Sequence, residues 1–442
     1  MRSFTRRRLR RSLSMRGIAA ASLVMLVAMA ENVADAAEQA PSPELIARGA
    51  YVARIGDCAG CHTAPKGGAP YAGGLGVNSP FGTIYSSNIT PDPELGIGKY
   101  SYEDFVRVMR EGVAPGNKGL YPAMPYASFV KMNEDDLRAL YAYMMHGVPP
   151  VHYKPPPTDV SFPFNQRWAL RVWRWAIAPK KVFEPRPERD ATRNRGAYIV
   201  QGPGHCGACH TPRGLAYQER GYDESSKTYL SGAVTDNWYA MNLRGDPGSG
   251  LGRMSTEEIA SFLKTGHGGD KTIAFGTMVQ TIEDSLQYLS DDDLTAIATY
   301  LKTLPATGAA DGTFDPSLAP PGRLKTRAPD TPPGQGAAVY ATFCAQCHLD
   351  TGQGVPKAFP RLAGNPAVIS EDTTSLIRLI VEGGNSPDTQ HGPPRQNMPG
   401  FAGRLSDLQI GQVLSYIRSS WGNDARPVTT NDVASFRSKI HK

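Results

Sequence analysis

Three stretches of the chain repeat one pattern, a polar turn followed by apolar side chains on a single helical face. The first runs from Asn133-Glu134-Asp135-Asp136-Leu137 through Met145, with Leu137, Leu140, Tyr141 and Met144 in phase. The second runs from Ser290-Asp291-Asp292-Asp293-Leu294 through Leu301, with Leu294, Ile297, Ala298 and Leu301 in phase. The third runs from Ser406-Asp407-Leu408 through Ile417 and places Leu408, Val413, Leu414 and Ile417. A Ser or Asn ahead of acidic residues supplies the N-cap of each helix. Upstream lie Arg48-Gly49-Ala50-Tyr51-Val52, Arg195-Gly196-Ala197-Tyr198-Ile199 and Gly336-Ala337-Ala338-Val339-Tyr340, which read as opening helices with an aromatic on the buried face. Long alternating patterns are missing, so the expected fold is all-α, in three repeats.

The stretches between the repeats differ in character. Residues 153–190 hold Pro155, Pro156, Pro157, Pro163, Pro179, Pro185 and Pro187 around a basic, Trp-rich segment, Trp168 to Ile177. Such a segment reads as an amphipathic helix for a membrane surface or a partner. The commoner use of an aromatic stripe, packing against the chain's own domains, is the reading favoured by sequence. Residues 306–333, rich in Pro, Gly and Ala, read as a plain extended connector.

Each opening helix runs into a cysteine pair. All six cysteines fall in Cys58-Ala59-Gly60-Cys61-His62, Cys206-Gly207-Ala208-Cys209-His210 and Cys344-Ala345-Gln346-Cys347-His348. Cys-x-x-Cys-His is the attachment signature of c-type haem. Two thiols three residues apart on a helical turn can add to the two vinyl groups of one porphyrin, and the next residue sets an imidazole under the iron. Structural disulfides would not require a His after every second Cys, and zinc ribbons need paired knuckles without that fixed His. Three covalently bound haems are therefore expected, with His62, His210 and His348 as proximal ligands. Opening and closing helices that cross beside a haem are the plan of a class I cytochrome c domain.

A second axial ligand completes an iron used only for electron transfer, and Met supplies it at high potential. It is expected in the loop before the closing helix. Met124 in Tyr121-Pro122-Ala123-Met124-Pro125 and Met398 in Asn397-Met398-Pro399-Gly400 fit that place, as does Met278 in Gly276-Thr277-Met278-Val279. Met241 and Met254 are rivals in the second repeat but lie early, and His391 is a rival to Met398. Pro70 and Pro356 each lie eight residues beyond a motif His, where a Pro carbonyl is expected to take the imidazole N–H. The second repeat has Gln218 there, which predicts a different environment, and the most divergent potential, for its haem. Saturated iron argues against a peroxidase, and no catalytic residue is expected.

The formal charge of +6 changes little once its source is seen. Residues 1–36 carry seven Arg, the apolar run Ile18 to Ala30 and the small-residue site Ala34-Asp35-Ala36, which is the layout of a cleaved export signal. Its apolar run is too short to span a bilayer, which takes about 20 residues. The remainder is close to neutral, so basicity gives no ground for nucleic-acid binding. Export agrees with haem attachment outside the cytoplasm, on the periplasmic side of the membrane.

Further residues carry a resemblance. These are Ser87-Asn88-Ile89-Thr90-Pro91-Asp92-Pro93 with Gly96-Ile97-Gly98, then Gly202-Pro203-Gly204-His205 and Thr211-Pro212-Arg213 about the second motif, and Phe359-Pro360-Arg361-Leu362-Ala363-Gly364-Asn365-Pro366 in the third repeat. Asn242-Leu243 and Asp246-Pro247 ahead of Gly250-Leu251-Gly252 echo the first group. With the three motifs, the chain resembles the three-haem cytochrome c subunits of membrane-bound periplasmic dehydrogenases, of the gluconate, fructose and quinoprotein alcohol dehydrogenase types. The resemblance implies a catalytic partner subunit carrying FAD or pyrroloquinoline quinone (PQQ), peripheral membrane association, and ubiquinone or a terminal oxidase as acceptor. The alternative is a free-standing multihaem carrier or an oxidase-linked cytochrome. The expected layout is a signal peptide at 1–36, cytochrome domains at 42–152, 191–305 and 334–425, linkers at 153–190 and 306–333, and a tail at 426–442.

Overall fold

A computed structural model describes residues 40–308, 311–318 and 334–440. The expected export signal and most of the expected second linker lie outside the described residues.

Three helix crossings organise the chain. The Pro43–Ile55 helix meets Glu134–His146, Ala191–Gln201 meets Asp291–Lys302, and Gln335–Phe343 meets Asp407–Arg418. Each opening helix brings a glycine to the crossing. A Cβ on Gly49 would stand 1.9 Å from the Ala139 carbonyl oxygen, one on Gly196 1.9 Å from that of Ala296, and one on Gly336 2.4 Å from that of Gln412. The closing helices start where their caps predict. The side chains of Asn133, Ser290 and Ser406 accept from the amides of Asp136, Asp293 and Gln409.

Each crossing has its own hydrophobic core. Val52, Phe105, Phe129, Met132, Leu137, Leu140 and Met144 fill the first. Tyr198, Ile199, Leu230, Ile259, Leu294, Ile297 and Leu301 fill the second, and Tyr340, Ile377, Val413, Leu414, Ile417 and Trp421 the third.

Helices carry these cores, but an all-α description omits a set of short antiparallel hairpins. Gly76–Ser79 pairs with Gly82–Tyr85, Ala233–Thr235 with Trp238–Ala240, and Gly383–Asn385 with Asn397–Pro399. At two to four residues, such strands are too short to show an alternating pattern in sequence.

The flanking segments also depart from expectation. Residues 430–440, expected within a tail, form the Thr430–Ile440 helix and bury Val433 and Phe436 in the third core. The described part of the second linker is stitched down. The amides of Thr307 and Gly308 donate to the Asp246 carboxylate at 2.9 Å, and Thr313–Phe314 pairs with Asn423–Asp424. In the first linker Trp173 packs inward, its indole N–H donating to the Ala216 carbonyl at 2.8 Å, whereas Trp168, at the N-cap of the Ala169–Ile177 helix, and Trp175 within it are exposed. Packing against the chain's own domains therefore accounts for only one of these three Trp residues. Among the described residues no helix is long and apolar enough to cross a membrane.

Gly196→Ala must displace backbone at its crossing and is expected to destabilise the second unit by about 1–3 kcal/mol. Gly403→Ala, with nothing near its added Cβ, should leave the thermal unfolding profile within about 0.5 kcal/mol of the parent. Equal effects from the two would contradict the packing described.

Candidate haem sites

The three cysteine motifs sit on short helical turns, at Cys58–Cys61, Gly207–His210 and Ala345–His348. In each, the His amide donates to the carbonyl of the first Cys, His62 to Cys58 at 2.9 Å, His210 to Cys206 at 3.0 Å and His348 to Cys344 at 2.9 Å. First thiol and imidazole are thus one helical turn apart, with the second thiol between them. None of the six cysteines is paired in a disulfide, and burial pushes the Cys58 and Cys206 thiols up to about 12 and that of Cys344 to about 11.

Each motif imidazole is oriented by a backbone carbonyl. His62 Nδ1 donates to Ser87 O at 2.7 Å, His210 Nδ1 to Met241 O at 2.7 Å and His348 Nδ1 to Pro360 O at 2.9 Å. A carbonyl can only accept, so the proton is on Nδ1 and Nε2 keeps its lone pair for a metal. Burial lowers the pKa of all three rings, against the opposing pull of the carbonyl bond. A neutral, fixed imidazole is the donor that a haem iron takes, and two thiols beside it match covalent attachment. The residues present fit haem c.

These acceptors correct the expectation built on Pro70 and Pro356, neither of which receives the imidazole. They also reverse the expected outlier. Ser87 and Met241 each precede an Asn whose side chain accepts the amide two residues on, Asn88 from Thr90 and Asn242 from Arg244, both at 2.9 Å. The same loop then closes in both units. Ile97 donates to Thr90 O and Leu251 to Arg244 O, at 2.9 and 2.7 Å, and a Cβ on Gly96 or Gly250 would strike those same carbonyl oxygens. The first two sites therefore share a proximal strap, and the third differs.

Gln218 is not the structural counterpart of Pro70, because the second unit is longer there. The motif His carbonyl takes the amide of Gly73 in the first unit, eleven residues on, and of Gly232 in the second, twenty-two residues on. Gln218 lies in that insertion. The signal that could have located the strap was the recurrence of Asn88-Ile89 as Asn242-Leu243.

On the ligand side, the first two units again match. The Tyr102–Glu111 helix ends at Gly112 and Thr256–Thr265 at Gly266, both at positive φ. Gly112 O then accepts from Leu120 N, and Gly266 O from Ala274 N, both at 2.8 Å. Met124 and Met278 each lie four residues beyond that closing amide, but Met124 is on a bend whereas Met278, expected in a loop, is in the first turn of the Thr277–Asp284 helix. Met124 packs with Cys58 against the first core, Met278 with Cys206 against the second, and Met398 against the third, which holds Cys344. Met398 is reached differently, from a strand residue paired with Gly384. Of the rivals, Met241 is committed to the imidazole side through its carbonyl, and Met254 is buried in the second core.

The first and second sites lie against each other. Tyr198 donates to Asp136 at 2.6 Å and Tyr51 to Asp293 at 2.7 Å, so each unit reaches into the other's closing helix. Each carboxylate also binds an Arg of its own unit, Arg48 with Asp136 and Arg195 with Asp293, both at 2.8 Å. Near the motifs, Gln280 Nε2 donates to Gly60 O at 3.4 Å, and His205 Nε2 lies 3.2 Å from Gly56 O. Between them Asp57 is half-buried, with its Oδ1 enclosed; desolvation, with the Asp284 carboxylate, pushes it up to about 7. The third unit joins the second through Arg361 with Asp270, Arg395 with Glu283, and the Ser375 hydroxyl on Tyr239 N.

A helix crossing, a Cys-x-x-Cys-His turn with a carbonyl-bound imidazole, and a Met ahead of the closing helix, on a bend, a helix or a strand, define a cytochrome c. Comparison agrees, since the cytochrome c family model matches residues 46–147 and 334–421. The chain is 48% identical over 399 residues to the cytochrome c subunit of the quinone alcohol dehydrogenase of Komagataeibacter europaeus, covering 89% of this chain and 84% of that one. It is 45% identical over 424 residues to the gluconate 2-dehydrogenase cytochrome c subunit of Pantoea cypripedii, covering 94% and 95%. It is 36% identical over 413 residues to the fructose dehydrogenase cytochrome subunit of Gluconobacter japonicus, covering 89% and 82%. The chain belongs to this family of dehydrogenase cytochrome c subunits, which binds haem c covalently.

Met278→Ala should convert one haem of the oxidised protein to a high-spin form and weaken the red sulfur-to-iron absorption band. Met241→Ala should leave every haem low-spin. An unchanged spectrum for Met278→Ala would remove it from the ligand set.

Proposed function

We propose that this chain is the electron-transfer subunit of a periplasmic dehydrogenase complex and carries three haems. His62 with Met124, His210 with Met278 and His348 with Met398 would hold their irons. When bound, each haem supplies a one-electron carrier. The chain fixes each imidazole in a single tautomer, and the soft thioether of each Met would complete the iron's ligand set and close it to a substrate. The observation that carries this reading is the repetition of a carbonyl-held imidazole in all three motifs. A haem enzyme would need one iron with an open or displaceable sixth position.

The catalytic subunit, with FAD or PQQ, oxidises an alcohol, sugar or sugar acid. Electrons leave for ubiquinone or a terminal oxidase. The names of the relatives support a dehydrogenase partner over a free-standing carrier. The leader at 1–36 supports export to the periplasmic side, and the complex sits there as a peripheral membrane assembly.

Deleting this chain should leave a dehydrogenase subunit that still reduces an artificial dye but has lost quinone reduction in membranes. The purified cytochrome alone should oxidise no sugar or alcohol. Turnover by the cytochrome alone, or purification from native membranes without any dehydrogenase, would overturn the reading.

A further inference from the structure

Exposed apolar side chains are concentrated in one place. Among the described residues, the large hydrophobic side chains more than half exposed are Phe162, Phe164, Trp168, Val172, Trp175 and Leu215. Five belong to the first linker, and Leu215 to the loop inserted after the second motif. Trp168, Val172 and Trp175 recur at helical spacing along the outward side of the Ala169–Ile177 helix. The opposite side is anchored, since Trp173 binds Ala216 O and meets the Tyr126 ring edge-on at 6.2 Å. Phe164 packs on Phe81 at 4.2 Å, and Phe81 on Tyr217 at 5.5 Å, which ties the Phe pair to the loop bearing Leu215. The Trp-bearing helix and Phe164 thus both sit against the loop that carries Leu215.

An outward apolar helix face is unstable in water unless something covers it. Charge identifies the cover. Residues 161–182 contain no Asp or Glu and carry Arg167, Arg171, Arg174, Lys180 and Lys181, of which Arg171, Lys180 and Lys181 are exposed. Trp and Phe at the level of lipid headgroups, with Lys and Arg reaching phosphates, is the composition of an interfacial helix. A protein docking site of this size would be expected to deplete Lys and to interleave polar partners.

We propose that this surface is the membrane-docking face of the chain, seated in the headgroup region of a bilayer containing anionic phospholipid. The proposal rests on the peripheral association stated above and names the residues that make it. The docked loop begins at Arg213, three residues beyond His210, and Arg213 donates to Ala208 O inside the second motif. Docking here therefore brings the second haem site toward the lipid phase, where a lipid-soluble quinone is found.

The test is sedimentation of the purified haem-loaded chain with phosphatidylcholine vesicles, with and without phosphatidylglycerol. The parent should bind the anionic vesicles, and bind less in high salt. Trp168→Ser with Trp175→Ser should weaken that binding about tenfold or more, with haem content and the sulfur-to-iron band unchanged. Trp168→Phe with Trp175→Phe should retain most of it, and Lys180→Gln with Lys181→Gln should flatten the salt dependence. No vesicle binding by the parent, or undiminished binding by the double Ser variant, overturns the proposal. So does a double Ser variant that keeps vesicle binding but no longer co-purifies with its dehydrogenase, because the surface is then a protein interface. The vesicle assay needs no dehydrogenase, so failure of the electron-transfer reading leaves its result standing.

Discussion

Backbone contact between helices at Gly49, Gly196 and Gly336 is the constraint on which the remaining structure depends. The opening helix of each unit runs within a few residues into its Cys-x-x-Cys-His turn. Where that helix lies against the closing helix therefore fixes where the thiols and imidazole stand. Any side chain at the crossing would lift the opening helix off its partner and move the whole haem-binding turn.

The residues around that glycine decide which units pair. In the first two units the preceding Arg binds an Asp of the closing helix, and the Tyr two positions on reaches the corresponding Asp of the other unit. Two carboxylates are held this way by reciprocal contacts. Burial alone would raise the Asp293 pKa, but hydrogen bonds from Arg195 and Tyr51 outweigh it and leave the carboxyl below its usual range. That contribution to stability is present above the unfolded Asp pKa and lost as pH falls through the depressed folded value. The third unit has Gln335 before its glycine, bonded to Gln412, and Ala338 in place of the Tyr. It lacks the clasp and joins the second unit through other groups. The second unit is thus central, touching both neighbours.

Local chemistry was legible in the sequence, and chemistry set by distant backbone was not. The helical cysteine turns and the N-caps could be read because each depends on residues about a turn apart. Met278 lacked the following Pro of Met124 and Met398, yet it lies four residues beyond Ala274 as Met124 lies four beyond Leu120. The imidazole acceptors were misassigned because Ser87, Met241 and Pro360 come from segments folded back onto the motif, and an insertion shifted the second unit out of register. The exposed Trp face was half legible. Spacing and charge showed an amphipathic helix, but only the structure shows Trp173 turned inward and Trp168 and Trp175 left outside.

The central claim is that all three motifs of one chain carry covalent haem. Intact mass of the chain under denaturing conditions tests it most directly. The account predicts the polypeptide cleaved after the export signal plus three haem masses, with no haem released into acidic organic solvent. A mature chain bearing fewer than three haems, or haem that extracts into solvent, would contradict it.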